Sequence, residues 1–280
     1  MSDQTVPASR TVQVEFLPIG RRILSVVRTE DVTPRMRRIV LAGDDLGDDF
    51  PCFPMHPNDH VKLCFPDPQS GELVVPRIGE RGMELDPDGP QPIFRDYTVR
   101  GFDPQTRELT IDFVLHDHGI AGVWAGRARP GDVLGVLGPR GTHHFPTDYR
   151  WYLVAGDETA LPAIGRWVEE LPAGATATVV VEVAGPEEEQ QLSGAAEVEL
   201  RWVHRDPAVP DALERALREV PIPDHDDWFA FVAGEAGALK PIRRWLRREL
   251  ALPKERLDVD GYWKKGTVNL DHHVPDDEDD

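Results

Sequence analysis

The segment Arg95-Asp96-Tyr97-Thr98-Val99-Arg100 brings a cation, a ring and a hydroxyl into one short strand, entered from a Pro- and Gly-rich loop. In a regular strand Arg95, Tyr97 and Val99 share one face and Asp96, Thr98 and Arg100 the other. A flavin needs an aromatic plane beside its ring system, a donor near its redox-active N5 and cationic help for its pyrophosphate. Tyr97, Thr98 and Arg95 supply these in that order. Alone the pattern is weak, because an Arg and a Tyr near a strand start are mostly surface and packing residues. A second piece follows at His116-Asp117-His118-Gly119-Ile120-Ala121-Gly122-Val123-Trp124-Ala125, which reads as strand end, tight glycine loop and helix start. The free N–H groups and positive dipole end of a helix N-terminus suit a pyrophosphate. Gly119 lets the backbone approach an anion with no Cβ in the way. His116 and His118 are expected on opposite faces of an extended strand, converging poorly on a metal. His143-His144 and His272-His273 likewise lack grouped ligands.

The second half carries its own candidates. Gly156-Asp157-Glu158-Thr159-Ala160-Leu161-Pro162-Ala163-Ile164 follows an apolar run and opens a helical stretch, where ligands collect in an open α/β sheet. Thr159 is the expected N-cap, with Pro162 in the first turn, where its missing N–H is harmless. Glu235 lies in Ala233-Gly234-Glu235-Ala236 after a later run. Arg205, after Trp202-Val203-His204, meets an adenosine phosphate or is an ordinary surface arginine. The Gly-x-Gly-x-x-Gly signature is absent, which counts against an ordinary Rossmann dehydrogenase.

These residues need scaffolds, and the hydrophobic pattern supplies two. Strands are expected at 12–16, 23–28, 36–41, 60–65, 72–75, 96–102, 108–116 and 133–137, with a short helix at 121–127. Closely spaced strands without long helices imply an antiparallel barrel or sandwich. From Trp151 the pattern alternates: strands at 151–155, 178–184, 198–203, 228–233 and 257–259, helices at 159–171, 210–220 and 238–250, and a weaker one at 186–192. That implies a doubly wound parallel sheet. The expected domains are residues 1–148 and 149–280, with a disordered acidic tail at 275–280.

A chain of 280 residues, 40% hydrophobic, has material for two such cores. Its net charge of −19 argues against nucleic acid and anionic membrane as general partners. Against that background residues 239–256 are basic, with Lys240, Arg243, Arg244, Arg247, Arg248, Lys254 and Arg256; they form a docking patch or a solvated helix face. Cys52 and Cys64 make neither a disulfide framework nor an iron–sulfur site, and Cys64 reads as a core residue. No stretch looks like a signal peptide or a membrane span, so a cytoplasmic location is expected.

Taken together, the Arg-x-Tyr-Thr strand, the Gly loop and helix, GDETALPAI, Ala-Gly-Glu-Ala and the ending Gly261-Tyr262-Trp263-Lys264-Lys265-Gly266 resemble the siderophore-interacting protein family of the ferredoxin–NADP reductase superfamily. The opening Val32-Thr33-Pro34-Arg35-Met36-Arg37-Arg38 is similar too, so the likeness runs from about Arg22 to Gly266. It implies a Greek-key β-barrel that binds FAD, followed by an α/β domain for NADPH or NADH. The implied flavin-side residues are Arg95, Tyr97, Thr98, Val99, His116 and Gly119, then Ala121, Trp124 and Ala125. On the nicotinamide side stand Asp157, Thr159, Ala160 and Glu235, and Trp263 lies near the flavin. The implied activity is reduction of a ferric siderophore, the flavin splitting an electron pair into single electrons, with no side chain acting as acid, base or nucleophile. A negatively charged chelate would need local cations, for which Lys264, Lys265 and Arg129 or Arg140 are candidates. Ile120 stands where the family usually has Pro, and Lys264-Lys265 where it often has Arg-Arg, which keeps charge but loses the guanidinium fork. Three options stay open: ferredoxin as the electron donor, an iron-handling protein with little redox activity, and a general flavin or quinone reductase.

Overall fold

The computed structural model describes residues 10–80 and 82–267. The acidic tail, His272-His273 and the first nine residues lie outside the described residues. The N-terminal half runs β1 (Gln13–Phe16), β2 (Arg21–Thr33), β3 (Met36–Ala42), β4 (His60–Phe65), β5 (Arg77–Gly79), β6 (Gly82–Glu84), β7 (Ile93–Thr98), β8 (Gly101–Asp103), β9 (Glu108–Val114), α1 (Ala121–Arg127), β10 (Val133–Leu137) and β11 (Gly141–His144). Seven of these strands make one antiparallel sheet in the order β7-β4-β10-β2-β3-β9-β8. β7 and β8 stand at opposite edges of that order, yet only Val99 and Arg100 separate them. The sheet therefore has to roll until its edges meet, and the Greek-key barrel is the result. Val61, Leu63 and Phe65 alternate inward along β4 and pack against Ile39, Leu41, Leu109 and Ile111, the period-2 burial that a closed sheet demands. Cys64 is buried, as expected, and burial pushes its thiol up to about 11.

Local expectations fail where a corner or a proline intervenes. The strand at 96–102 is two strands, because Val99 N–H donates to Asp59 O at 2.8 Å while Arg100 N–H crosses to Thr110 O at 3.0 Å. Residues 72–75 form no strand; Leu73 makes a single bridge to Pro66. Pro66, Pro68 and Pro76 lack the donors that a ladder requires. The β5–β6 hairpin and β11 are too short for periodicity to reveal.

The second half runs β12 (Trp151–Asp157), α2 (Leu161–Glu170), β13 (Thr176–Val183), β14 (Glu197–His204), α3 (Ala212–Arg218), β15 (Trp228–Glu235), α4 (Ala236–Arg244) and β16 (Leu257–Trp263). Its five strands are parallel, in the order β14-β13-β12-β15-β16. Both faces are covered, so the central strands β13, β12 and β15 are apolar almost throughout, while the edge strands β14 and β16 alternate with charged residues. Val154, Val179 and Phe231 face α2, while Leu153, Val180 and Val232 face α3 and α4. The weak helix at 186–192 is one 3₁₀ turn, Pro186–Glu188. The helix at 238–250 is α4 followed by a π-helical turn, Trp245–Glu249, with Pro241 inside α4 removing one donor. No helix among the described residues is long and apolar enough to cross a membrane.

Close packing at the head of the sheet rests on Gly156. A Cβ there would lie 2.3 Å from Ala233 O and 2.7 Å from Ala160 Cβ. The nearer atom belongs to the backbone of a central strand, which has nowhere to retreat. Gly156→Ala is therefore expected to lose about 1–3 kcal/mol, read as a lower urea midpoint at unchanged m-value.

Barrel and sheet are joined along α2. Arg166 is buried and donates to the carbonyls of Phe53, His56 and Val99 at 2.6, 2.8 and 3.3 Å, while its Nε meets Glu170 at 2.7 Å. Arg100 bridges Asp112 of β9 and Glu169 of α2. Met36, Met55 and Phe145 of the barrel half share the apolar cluster of α2.

Candidate functional site

The strand order reverses between β12 and β15, and in open parallel sheets the crevice beyond such a pair receives ligands. Asp157 ends β12 at that point. Register sets Gly156 beside Ala233 and Gly234 beside Gly261, so three loops converge there. The Asp157 carboxylate collects four donors. Thr159 N–H (2.9 Å) and hydroxyl (2.5 Å) reach Oδ1; Glu235 N–H (2.9 Å) and Trp263 Nε1–H (2.9 Å) reach Oδ2. One buried side chain thus ties together GDET, AGEA and the GYWKKG ending. Gly234, at φ 150°, keeps clear a space where a Cβ would come 2.7 Å from that Oδ2. Burial pushes the Asp157 carboxyl above its ordinary range and Glu158 adds to this, while the bonds from Thr159 and Trp263 pull it back. Trp263 ends β16 with 38% of its surface open, so its ring is pinned by an edge and exposed.

Several expectations change here. Thr159 is not the N-cap of α2: Ala160 holds that position without a side-chain cap, because the Thr159 hydroxyl is committed to Asp157. Pro162 does fall in the first turn. Ala160 is fully buried under the loop. Glu235 caps α4 through Ala238 N–H at 2.7 Å and accepts Lys265 N–H at 3.0 Å, so both of its oxygens serve the backbone. Arg205 is no free cation, since it pairs with Glu158 and Glu182.

Across the interface, Thr98 ends β7 with its side chain close enough to Tyr262 of β16 to counter the rise of that phenol. The Tyr262 hydroxyl donates to Asn58 Oδ1, and Asn58 Nδ2 donates to Asp260 Oδ2 at 3.1 Å. The Arg-x-Tyr-Thr strand and the last strand of the parallel sheet therefore meet. Burial pushes the Tyr262 phenol well above its ordinary value, helped by Asp260 and Asp258. Burial and Asp260 also lift Asp258 to about 7, against the pull of Arg243. Asn58 and Asp260 carry no motif and were not legible; Tyr262 was visible only as part of the GYW ending.

On the barrel side, register pairs Arg95 with Leu63 and Tyr97 with Val61, on the inward face. The Tyr97 ring lies 4.4 Å from that of Phe113, and Trp124 lies 5.5 Å from Phe65. Val99, Ala121 and Ala125 have their side chains in the barrel core, so any part they play is through backbone. His116 folds over the first turn of α1, where a Cβ on Gly122 would be 2.7 Å from its Nε2, and Gly119 sits at φ 75°. The rings of His116 and His118 do converge, at 4.6 Å, because β9 ends at Val114 and the chain bends before them. Among the described residues no group of three or more His, Cys, Asp or Glu could hold a metal. Beside these histidines opens a cleft of about 690 Å³, lined also by Arg35, Gly122 and Arg127, within the range of small-molecule and cofactor pockets. Arg129 is exposed beyond the opposite end of α1. Lys265 is exposed and Lys264 half-buried. In the basic window Arg243 donates to Val259 O at 2.9 Å and Arg256 pairs with Asp226, whereas Arg244, Arg247 and Arg248 are solvated.

Comparison with known proteins bears on all of this. Residues 25–143 match the family model described as siderophore-interacting FAD-binding domain, and residues 149–266 match that of siderophore-interacting protein. The chain is 34% identical over 256 residues to the ferric vibriobactin reductase of Vibrio cholerae, covering 90% of this chain and 92% of that one. It is 36% identical over 245 residues to the NADPH-dependent ferric-chelate reductase of Escherichia coli, covering 86% and 92%. Among solved structures, a siderophore utilization protein from T. fusca superposes with a TM-score of 0.87 at 46% identity, over 94% of this chain and all of that one. Phthalate dioxygenase reductase, at 15% identity and TM-score 0.56 over 89% and 70%, shares the fold. By these matches, which together run through both sheets, the chain belongs to the siderophore-interacting protein family.

Proposed function

We propose that this protein is an FAD-dependent oxidoreductase that passes electrons from NAD(P)H to a ferric siderophore, releasing Fe(II). The observation that carries the reading is the meeting of Asn58, two residues before the His60 that pairs with Thr98 at the end of the barrel's Arg-x-Tyr-Thr strand, with Tyr262 and Asp260 at the end of the parallel sheet. An electron donor on the sheet and an acceptor on the barrel have to face each other at such a junction. FAD supplies the conversion of a hydride into single electrons, the form in which iron accepts them. The chain fits that cofactor: the open cleft between Arg35, His116, His118 and Arg127 suits an anionic, extended group.

Within this proposal Arg95 and the cleft cations hold the pyrophosphate, Tyr97 and Trp124 flank the ring system, and Thr98 addresses its polar edge. Backbone at Val99, Gly119, Ala121 and Ala125 shapes the cradle. Asp157, through Thr159, Ala160 and Glu235, sets the loops that position the nicotinamide, and Trp263 closes the junction. The work of the protein is orientation. We assign the domain boundary to residues 148/149. We place the reaction in the cytoplasm, where NAD(P)H is available and thiols such as Cys52 and Cys64 remain reduced.

The test is to purify the protein with FAD, record its visible spectrum and titrate NADH and NADPH under nitrogen, then add a ferric chelate with a ferrous trap. Bleaching followed by chelate-dependent reoxidation and Fe(II) capture is expected. A folded protein that stays colourless and takes up no flavin would refute the reading; bleaching by reduced ferredoxin alone would move the donor. Lys264, Lys265 and Arg129 are the proposed docking cations for an anionic chelate. Replacing Lys264 and Lys265 with Ala should weaken ferric-siderophore reduction by about tenfold, as lost charge pairing, while barely changing NAD(P)H oxidation by a small neutral dye. Equal losses with both acceptors would reject docking.

A further inference from the structure

We infer that the donor site selects NADH over NADPH, through an ion-paired cluster of Glu158, Glu182 and Arg205 at the carboxyl edge of the parallel sheet. The inference rests on the proposed nicotinamide role of that edge. In doubly wound dinucleotide-binding sheets of order 3-2-1-4-5-6, whose first five places this sheet repeats, the adenosine ribose lies beyond the end of the second strand. There a carboxylate accepts hydrogen bonds from the 2′-hydroxyl of NADH, or an arginine receives the 2′-phosphate of NADPH. This chain has both kinds of residue, and the sequence leaves the choice open.

The structure decides it by pairing them. Glu182 is the penultimate residue of β13, in register with Asp157 of β12 and Val203 of β14. Arg205 stands one residue beyond β14, and its N–H donates to Val183 O at 2.8 Å. From there the guanidinium reaches back over the strand ends. Nη1 and Nη2 clasp Glu158 at 2.7 and 2.5 Å, and Nε meets Glu182 at 2.9 Å. The bidentate fork, the part of arginine best shaped for a phosphate, is already taken by Glu158.

The surroundings point the same way. The trio carries a net charge of −1. Asp206 adjoins Arg205, and Glu187 and Glu189 lie in the turn after β13, whereas Glu188 is buried against Thr33 and Arg35 of the barrel. The imidazole of His204 is engaged by Glu189 at 2.8 Å. A phosphate monoester, itself carrying about −1.5 to −2 charge near neutrality, would have to displace a carboxylate from Arg205 within a rim of carboxylates. A ribose diol faces no such conflict: it donates two hydrogen bonds to carboxylate oxygens that retain unused lone pairs.

The experiment measures NAD⁺ and NADP⁺ binding to the FAD-loaded protein by calorimetry, together with kcat/KM for flavin reduction by NADH and NADPH. A preference of at least tenfold for the non-phosphorylated nucleotide is expected in both. Glu158→Gln with Glu182→Gln releases the guanidinium, and should narrow or invert the preference by at least tenfold, mainly through tighter NADP⁺ binding. Arg205→Ala should give no gain for NADP⁺. Wild-type binding of NADP⁺ as tight as that of NAD⁺ would overturn the inference, and needs no variant to fold. So would an unchanged ratio in the double variant. If neither nucleotide binds nor bleaches the flavin, the donor reading of this edge falls first, and the inference with it.

Discussion

Arg166→Leu should lower the free energy of unfolding by about 3–5 kcal/mol, the usual loss when one partner of a buried, hydrogen-bonded charge is removed. Arg166 is 1% exposed, and its guanidinium donors satisfy three backbone carbonyls of the barrel as well as Glu170. Leucine leaves those carbonyls facing an apolar group, while Glu170 keeps only the Met55 N–H as a partner across the interface. Because the three carbonyls belong to the barrel and Arg166 to α2, barrel and sheet should also uncouple. Urea unfolding followed by tryptophan fluorescence and by flavin release is expected to lose its single transition. Arg166→Lys tests whether charge alone suffices. An ammonium on a flexible stem cannot span Phe53, His56, Val99 and Glu170 at once, so most of the loss should remain. A cost below about 1 kcal/mol for the Leu variant would mean that the barrel carbonyls find other donors.

Asp157→Asn carries the second large effect, and it separates the two halves of the reaction. The carboxylate presents an acceptor to Thr159 on one oxygen and to both Glu235 N–H and Trp263 Nε1–H on the other. An amide has one acceptor oxygen, and its NH₂ must then face donors on the remaining side. The expected cost is about 2–3 kcal/mol, since the lost bonds are charge-assisted and buried. The loops that should cradle the nicotinamide would shift with it. A misplacement of about 1 Å in such a site lowers the rate on the order of 10²-fold. Flavin binding rests on barrel residues and should survive, as should chemical reduction by dithionite. The check is therefore a stopped-flow rate with NAD(P)H beside a dithionite control. Loss of flavin from the variant would show that Asp157 supports the barrel site instead.

Much of the architecture was open to reading from local pattern. β4, α1 and β10 span the expected residues to the position, and the change from closely spaced strands to alternating strand and helix near residue 150 marks the passage from barrel to parallel sheet. Period and turn chemistry act over a few residues, so they identify elements and their order. They also placed GDET at a strand end, while AGEA and the GYWKKG ending stood out only through the family resemblance. What each side chain does there lay beyond them. Thr159 has the makings of a cap, yet serves Asp157; Arg205 looks like a phosphate ligand, yet is clasped by two glutamates; Val99, Ala121 and Ala125 lie in the core. Asn58 and Asp260 stand 202 residues apart and become partners only once the barrel seats against β16. Hydrogen-bond and ion-pair partners are chosen by the closure of the barrel, the sheet register and the docking of α2, each of which joins residues far apart in the chain. Spacing along the sequence therefore determined the elements and the family's motifs, and the packing of barrel on sheet determined which carboxylate binds which donor.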